Sequence, residues 1–214
     1  MLLRHFGPQD WWPGETPFEV MVGAILTQNT AWTNVEKAIA NLKGNKRLCP
    51  KIIARTSHGL LARDIRPAGY FNVKAVRLKN FVDYYVSRYG GNIRRMKARP
   101  LAALRKELLA VNGIGPETAD SILLYALDKP VFVIDAYTKR VFSRHRVAMN
   151  CRNPHREDLI DRPYEEWQRF FMENLKPADL RLYNEYHALI VALGKNYCRP
   201  NDPRCFACPL GFLL

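Results

Sequence analysis

Apolar residues recur at the spacing of an α-helix along most of this chain. Four of the clearest stripes contain these residues: Phe18, Met21, Val22 and Ile25; Trp32, Val35, Ile39 and Leu42; Leu101, Leu104, Leu108 and Val111; and Ala119, Ile122, Leu123, Ala126 and Leu127. A period near 3.6 residues places each set on one face of a helix. Only residues 131–134 look strand-like, and four residues are too few for a sheet. The sequence therefore predicts an all-α fold with short loops.

Three further segments complete the predicted order of elements. A turn at Gly69 precedes a helix that we expect to start near Val73. The segment LRLYNEYHALIVALGKNYC predicts a last helix. Residues 144–162 are rich in Arg, Asn, Pro and His, which is typical of a loop.

The turn Gly113-Ile114-Gly115 joins two of the predicted helices. Glycine tolerates the positive φ that so short a turn requires, and Pro116 suits a first helical position. An ordinary helical hairpin needs nothing more. The N–H groups at the start of the second helix can also bind a phosphate, since the helix dipole is positive there. The local pattern alone favours neither interpretation.

The charge of the chain favours the phosphate interpretation. Lys and Arg number 33 against 20 Asp and Glu, which gives a net charge of +13. Such an excess favours a polyanionic partner, with nucleic acid ahead of an anionic membrane. We expect no membrane association, because no apolar run approaches the roughly 20 residues of a spanning helix. We expect no signal peptide either, and hence a cytoplasmic protein whose five cysteines are reduced or bound to metal.

Two acids stand at positions where a helix begins. Glu117 falls in the first turn after the glycine pair, where an acid complements the helix dipole by about 0.3–1 kcal/mol. Asp135 follows residues 131–134 and precedes the helical spacing of AYTKRVF, which predicts an N-cap that contributes about 1 kcal/mol. Because a capping carboxylate is held rigidly at the mouth of a helix, the same residue can also act as a catalyst.

Five segments, taken in order, resemble the helix-hairpin-helix DNA glycosylases of the endonuclease III type. They are PFEVMVGAILTQNT, GYFNVKAVRL, VNGIGPETAD, VFVIDAYTKRV and CRPNDPRCFACPL. The resemblance covers nearly the whole chain. It implies a six-helix barrel lobe over residues 10–129 that carries the hairpin. It also implies a second helical lobe, made of residues 1–9 and 130–214, that carries the cysteine loop.

The resemblance also implies a partner and residues that contact it. Double-stranded damaged DNA would lie in the groove between the lobes of a monomer that is located with the DNA in the nucleoid. The DNA-binding residues would be Gln28, Asn29, Gly113, Ile114, Gly115 and Thr118. Gln28 would fill the gap that a flipped base leaves; it can equally be a polar residue that ends a helix.

The implied reaction is removal of a damaged base by hydrolysis of its N-glycosidic bond, with Asp135 as the catalytic carboxylate. Members that also cleave the strand carry a lysine in the hairpin, and this chain has Glu117 there. Without that amine no Schiff base can form at residue 117, which predicts a DNA glycosylase without lyase activity. Two alternatives remain: a glycosylase and lyase that uses another lysine, and a DNA-structure-binding protein without catalysis.

The lesion implied by the resemblance is an alkylated purine. GIGPETAD and QDWWPGETPFEVMVGAILTQNT are more similar to the 3-methyladenine glycosylase III branch, whose members remove 3-methyladenine and related bases. Glu117, Trp11 and Trp12 would then line the base pocket. An indole grips a cationic methylated base by stacking and cation–π attraction. Tryptophan pairs are more often anchors of a core or an interface, and composition alone favours that interpretation.

Three cysteines near the C-terminus have the spacing of an iron–sulfur loop. Cys198, Cys205 and Cys208 follow C-x6-C-x2-C, and the family pattern continues with a fourth cysteine where this chain has Leu214. The resemblance implies a 4Fe–4S cluster held by three of the usual four thiolates. Zinc with three cysteines and a water, or no metal at all, are the alternatives. Cys49 and Cys151 lie far off in sequence and predict no site.

Overall fold

The computed structural model describes residues 1–145 and 160–213. The chain divides into two compact units, which we call the hairpin unit (Trp12–Lys129) and the terminal unit (Met1–Trp11 with Pro130–Leu214). Every regular element in the described ranges is helical, so the all-α prediction is confirmed. In those same ranges, no helix combines the length and the apolar character needed to cross a membrane.

The α-helices in the described ranges vary in length from 5 residues in the shortest to 19 in the longest. In chain order they are α1 (Leu2–Phe6), α2 (Pro17–Leu26), α3 (Trp32–Gly44), α4 (Pro50–Arg55), α5 (His58–Asp64), α6 (Phe71–Tyr89), α7 (Ile93–Lys97), α8 (Leu101–Leu109), α9 (Pro116–Ser121), α10 (Ala136–Arg144), α11 (Tyr164–Asn174) and α12 (Leu180–Asn196). The hairpin unit contains α2 to α9, and the terminal unit contains the rest.

Helix α2 forms the centre of the hairpin unit. It begins because the side chain of Thr16 accepts the amide of Glu19 at 3.2 Å and Pro17 occupies the first turn. Buried apolar residues lie all around this helix rather than on one face. They are Val20, Met21, Val22, Ala24, Ile25 and Leu26. A helix that is apolar all round must be enclosed by its neighbours. Gln28 and Asn29, which follow the end of α2, are therefore attached to a helix that is packed on all sides.

Helix α6 begins at Phe71, two residues before the predicted start near Val73. The preceding residue, Tyr70, has a left-handed conformation with φ of 45° and is 75% exposed. Within the helix, the buried ammonium of Lys74 donates to the carbonyl of Leu26 at 2.8 Å and to that of Ala68 at 2.7 Å. Burial lowers the pKa of Lys74 to about 8. The lysine thus ties the end of α2 to the start of α6.

Glu107 on α8 collects donors from two neighbouring segments. Its carboxylate accepts the hydroxyl groups of Tyr84 at 3.0 Å and Tyr89 at 2.5 Å, and the guanidinium groups of Arg88 at 2.9 Å and Arg99 at 3.1 Å. Burial opposes ionisation, but these donors outweigh it and lower the pKa of Glu107 to about 2. Glu107 therefore joins α6 to the first helix of the hairpin.

This arrangement predicts an acid-dependent loss of stability. Because the folded-state pKa of Glu107 lies below its ordinary value of 4.5, the stabilisation is complete above about pH 4.5 and disappears as the pH falls toward 2. We expect Glu107→Gln to lower the free energy of unfolding at neutral pH by about 2 kcal/mol and to flatten its decline between pH 4.5 and 3. Urea unfolding at several pH values measures both. The exposed Asp83→Asn is the control; an equal pH dependence in parent and Glu107→Gln would contradict the prediction.

The strand-like residues 131–134 form no strand. They are between 0% and 2% exposed and run as an extended passage into α10, after a π-helical turn at Ile122–Ala126. The prediction that they are too short for a sheet is confirmed. Of the predicted loop at 144–162, residues 146–159 lie outside the described residues, as does Cys151; Arg144 is the last residue of α10.

The terminal unit is built around α10 and α12. The ring of Phe132 stacks on Phe171 of α11 at 4.3 Å, and a Cβ at Gly194 of α12 would collide with the ring of Tyr137. This glycine lets α10 lie directly against α12. The residue just before α10 is Asp135, so the position of the candidate catalyst is fixed by two packed helices.

Candidate functional site

Asp135 is the N-cap of α10, as the sequence predicted. Its Oδ1 accepts the backbone amide of Thr138 at 2.7 Å, and its side chain is 12% exposed. The other oxygen, Oδ2, lies 3.6 Å from Nε2 of His187, which projects from α12. The two carboxylate oxygens thus face different elements, and the orientation of the carboxylate is fixed.

The environment of Asp135 favours its charged form. Burial alone raises the pKa of this carboxyl, but the charge of the His187 imidazole and the amide of Thr138 outweigh burial and hold the pKa below 3.8. Asp135 is therefore ionised at neutral pH. A rigid, ionised and slightly exposed carboxylate can stabilise positive charge that develops on a bound molecule.

The glycine turn lies between α8 and α9 in the hairpin unit. Gly113 has φ of +93°, a conformation that favours glycine, whereas Gly115 has an ordinary φ of −87° and caps α9. Ile114 is only 5% exposed, and its amide donates to the carbonyl of Val111 at 3.0 Å. Ile114 anchors the turn in the core, while Gly115 is exposed beside it.

Gln28 is hydrogen-bonded to this hairpin. Its Nε2 donates to the carbonyl of Gly113 at 3.1 Å and to the hydroxyl of Thr118 at 3.0 Å, and its Oε1 accepts from Arg77 at 2.5 Å. Thr118 is 7% exposed, so it holds Gln28 from inside the hairpin. Asn29 is exposed with φ of 52°. Hydrogen bonds thus bring together three of the predicted DNA-binding residues, Gln28, Gly113 and Thr118, with Arg77 as an additional member.

A buried ion pair holds the two helices of the hairpin together. Arg105 of α8 donates from Nε to Oδ1 of Asp120 at 2.8 Å and from a terminal nitrogen to Oδ2 at 3.1 Å, and Asp120 is fully buried. A bidentate guanidinium–carboxylate contact has a single preferred geometry. The angle between α8 and α9 is consequently defined, and so is the turn between them.

Glu117 lies in the first turn of α9 and is exposed. Its backbone carbonyl accepts the hydroxyl of Ser121 at 2.7 Å. The position agrees with the predicted complement to the helix dipole. The side chain is accessible to a molecule that reaches the hairpin.

The two tryptophans have separate surroundings. In the terminal unit, the ammonium of Lys195 lies 5.3 Å from the ring centroid of Trp11. In the hairpin unit, the ring of Trp12 lies edge-on to that of Trp32, with 5.3 Å between ring centroids. It is tilted by 48° to the ring of Tyr125, with 5.1 Å between centroids. Each indole is thus in contact with side chains of its own unit.

The cysteine loop follows α12. Arg144 donates to Sγ of Cys198 at 3.3 Å, and burial, with the neighbouring Cys198 and Cys205, raises the pKa of Cys208. Metal ligation needs thiolates, and the family's cluster uses four. Leu214 lies outside the described residues and carries no ligand atom, and the described ranges place no three His, Cys, Asp or Glu side chains to hold a metal ion. Cys198, Cys205 and Cys208 would supply three of the four thiolates that such a cluster uses.

The backbone of the loop is fixed by two arginines of α10. Arg140 donates to the carbonyls of Cys198 at 2.6 Å and Gly194 at 3.2 Å. Arg144 donates to the carbonyls of Arg199 at 2.5 Å and Pro200 at 2.7 Å. The start of the loop is thereby attached to the helix that Asp135 caps.

The site thus combines an all-α fold, a glycine hairpin and an aspartate that caps the helix after a buried extended passage. The HhH-GPD superfamily of base excision DNA repair proteins matches residues 22–177. The chain belongs to this family, as the resemblance predicted.

Three relatives illustrate the range of the family. A Methanocaldococcus jannaschii protein that carries the name of a DNA repair glycosylase is 48% identical over 98% of this chain and 90% of its own length. A thymine/uracil-DNA glycosylase of Pyrobaculum aerophilum is 28% identical over 97% of this chain and 84% of its own. The crystal structure of the H. pylori 3-methyladenine DNA glycosylase bound to 1,N6-ethenoadenine superposes with a TM-score of 0.69 and 30% identity, covering 91% of each chain.

Sequence reasoning did not identify two residues of these surroundings: His187 and Arg77. His187 lies in the apolar segment of α12, where a lone polar residue was the available signal. Arg77 is one of many basic residues, so its contact with Gln28 had no signature.

Proposed function

We propose that this protein is a monofunctional DNA glycosylase that hydrolyses the N-glycosidic bond of a damaged base in duplex DNA. The observation that carries the proposal is the ionised, rigid carboxylate of Asp135 at the N-cap of α10. Positive charge develops on the sugar as the base leaves with the bonding electrons. Asp135 stabilises that charge and orients the water that adds to C1′, and the products are a free base and an abasic site.

The hairpin supplies the proposed DNA contact. The turn around Gly113 and Gly115 presents the start of α9 to a phosphate of the DNA backbone, and the charge of +13 attracts the duplex. Gln28 stands beside the turn to occupy the space of a flipped base. The protein acts as a monomer in this proposal, in the cytoplasm with the chromosome.

The proposed substrate is an alkylated purine such as 3-methyladenine. The 30% identity with the H. pylori enzyme supports this class, and so does the carboxylate of Glu117 on the hairpin, which favours a cationic base. The glycosidic bond of such a base is already labile, which suits a site with one carboxylate and no strong acid. The P. aerophilum relative favours a second candidate, removal of uracil or thymine from DNA.

A lesion screen tests the substrate. Duplexes that contain 3-methyladenine, 1,N6-ethenoadenine, uracil, a thymine mismatch or an oxidised pyrimidine are incubated with purified protein, and released base is measured. We expect release of the alkylated purines. Release of uracil or thymine alone would contradict the proposed alkylated purine substrate but would still support hydrolysis of the N-glycosidic bond. Binding without release of any base would favour a DNA-structure-binding protein.

A second experiment tests the absence of lyase activity. We expect no cleavage at an abasic site above the background of heat or alkali, because Glu117 cannot form a Schiff base. Borohydride should trap no protein–DNA adduct. Glu117→Lys alone should not install full lyase activity, since residue 117 is exposed and an exposed lysine amine is protonated at neutral pH. Efficient nicking by the parent at neutral pH would contradict the prediction and point to another lysine.

A further inference from the structure

We propose that His187 is a positioning residue for Asp135. Its imidazole holds the second oxygen of the Asp135 carboxylate in place. This inference rests on the proposed function, because it gives His187 a role only if Asp135 is the catalytic carboxylate. The sequence separates the two residues by half of α12 and the whole of α10 and α11, and the fold brings them to 3.6 Å between Nε2 and Oδ2.

The geometry divides the carboxylate between two supports. Oδ1 accepts the Thr138 amide at 2.7 Å, which fixes the distance of the carboxylate from the axis of α10. That contact alone leaves the carboxyl plane free to rotate about its hydrogen-bonded oxygen. His187 faces the remaining oxygen from α12, and a second contact from a different helix removes this freedom.

The imidazole itself is held by aromatic packing. His187 is 4% exposed, and its ring meets the ring of Phe132 edge-on at 6.2 Å. Phe132 is in turn stacked on Phe171 at 4.3 Å and lies edge-on to Tyr183 at 5.6 Å. Burying a polar imidazole costs free energy of folding, which a contact with a charged group offsets only in part. The burial of His187 next to Asp135 therefore indicates a role beyond packing. Positioning of the catalytic carboxylate supplies one.

The imidazole also affects the charge of Asp135. A protonated His187 favours the carboxylate over the carboxylic acid, and its charge contributes to the lowered pKa of Asp135. Removing the imidazole while keeping the Thr138 contact should therefore raise that pKa. The acid limb of the reaction's pH profile should move to higher pH in response.

Other titratable groups near this part of α12 do not give the same signal. They are Arg140 on α10, Tyr164 on α11, His5 on α1, and Tyr183, Glu185 and Tyr186 on α12 itself. Arg140 is bonded to the carbonyls of Gly194 and Cys198, and burial raises the pKa of both Tyr183 and Tyr186, so these tyrosines stay neutral in acid. Glu185 accepts the amide of Gln9, away from Asp135. A shift that follows His187 is thus assigned to Asp135.

Two substitutions in the full-length protein test the inference. His187→Phe keeps an aromatic ring and removes the polar nitrogens, and His187→Gln keeps a hydrogen-bond donor without a full charge. We expect the single-turnover rate of base release to fall about tenfold in His187→Phe and less in His187→Gln. The acid limb should move to higher pH in His187→Phe, because the charge that lowers the pKa of Asp135 is gone. The Kd for lesion-bearing DNA should change by less than about twofold, because neither variant alters the hairpin.

Controls separate failure of this inference from failure of the proposed function. His5→Gln changes an exposed histidine of the same unit, which contacts Tyr197, and should match the parent. Asp135→Asn, measured alongside, reports whether Asp135 is catalytic. If Asp135→Asn is inactive and both His187 variants keep the parental rate and acid limb, the role of His187 is refuted while the proposed function stands. If Asp135→Asn keeps the parental rate, both fail.

A purely structural role of His187 gives a different pattern. Loss of rate and DNA binding in parallel, without a displaced acid limb, would refute positioning. If His187→Phe does not fold, His187→Gln decides by itself: a slower rate with an unchanged Kd and a displaced acid limb supports positioning. The parental rate and profile in a folded His187→Gln would then overturn it.

Discussion

Asp135→Asn should lower the rate of base excision by about 10²–10³ and leave DNA binding nearly intact. The expectation follows from the charge of Asp135, which is ionised at neutral pH and would face the positive charge of the sugar. The substitution keeps the size of the side chain and its Oδ1, so the amide of Thr138 retains an acceptor. Since asparagine caps a helix about as well as aspartate, α10 should begin at the same residue.

The measurement is a single-turnover assay with protein in excess, together with the Kd for the same duplex and the thermal midpoint of unfolding. Asp179→Asn is a matched control, because Asp179 is another aspartate N-cap in the terminal unit and accepts the amide of Leu182 at 2.7 Å. It should keep the parental rate. A rate of Asp135→Asn within a few-fold of the parental rate would contradict a catalytic role of Asp135. An equal loss of rate in Asp135→Asn and Asp179→Asn would indicate damage to the fold of the terminal unit.

Local chemistry explains why the sequence predicted the position of Asp135. A cap is decided within about three residues of the chain, and the aspartate, the apolar run before it and the helical spacing after it are adjacent in sequence. The glycine turn is equally local, since positive φ at Gly113 is a property of that residue and its neighbours. Stripes on long helices are also visible, because a repeated period accumulates signal.

Contacts between distant residues could not be predicted from the same information. His187 contacts Asp135 from α12, and Arg77 contacts Gln28 from α6. The position of a single histidine or arginine in the sequence does not indicate which distant residue it contacts. Periodicity also fails on short helices, and sequence reasoning missed α1, α4, α5 and α7, which span one or two turns. It missed α11 as well, although Trp167 and Phe171 lie four residues apart and are buried there.

Residues 131–134 show a different limit. Each of the four is buried, so the segment lacks the alternation that marks a strand with one solvated face. A continuous apolar run of that length fits a strand, a helical turn or an extended passage equally well. Its length excluded a sheet, but only its surroundings show that it is a passage leading into α10.

Gly113→Ala should destabilise the hairpin unit by about 2–3 kcal/mol and weaken DNA binding at least tenfold. Two independent costs add at this position. Alanine at φ of +93° is strained, and its Cβ would collide with Cγ of Arg77, whose stem lies against the glycine. Arg77 cannot retreat freely, because its guanidinium is bonded to Gln28, which is bonded in turn to the carbonyl of Gly113. The collision therefore displaces the turn and Gln28 together.

Gly115→Ala is the matched control, two residues further along the same turn. Its φ of −87° suits any residue, and a Cβ there meets nothing within 4 Å. Its stability should stay within about 0.5 kcal/mol of the parent, so any loss of DNA affinity would report close approach of the phosphate backbone rather than damage to the fold.

The double variant Gly113→Ala with Arg77→Ala separates the two costs at Gly113. It removes the collision but keeps the backbone strain, so it should recover part of the stability that Gly113→Ala loses and little of the DNA affinity, because Gln28 has lost its arginine. Urea unfolding and Kd measurements on the four proteins of this cycle give the coupling between the residues. If Gly113→Ala alone keeps both parental stability and parental affinity, the turn tolerates a side chain, and the coupling of Gln28 to the hairpin through Arg77 is refuted.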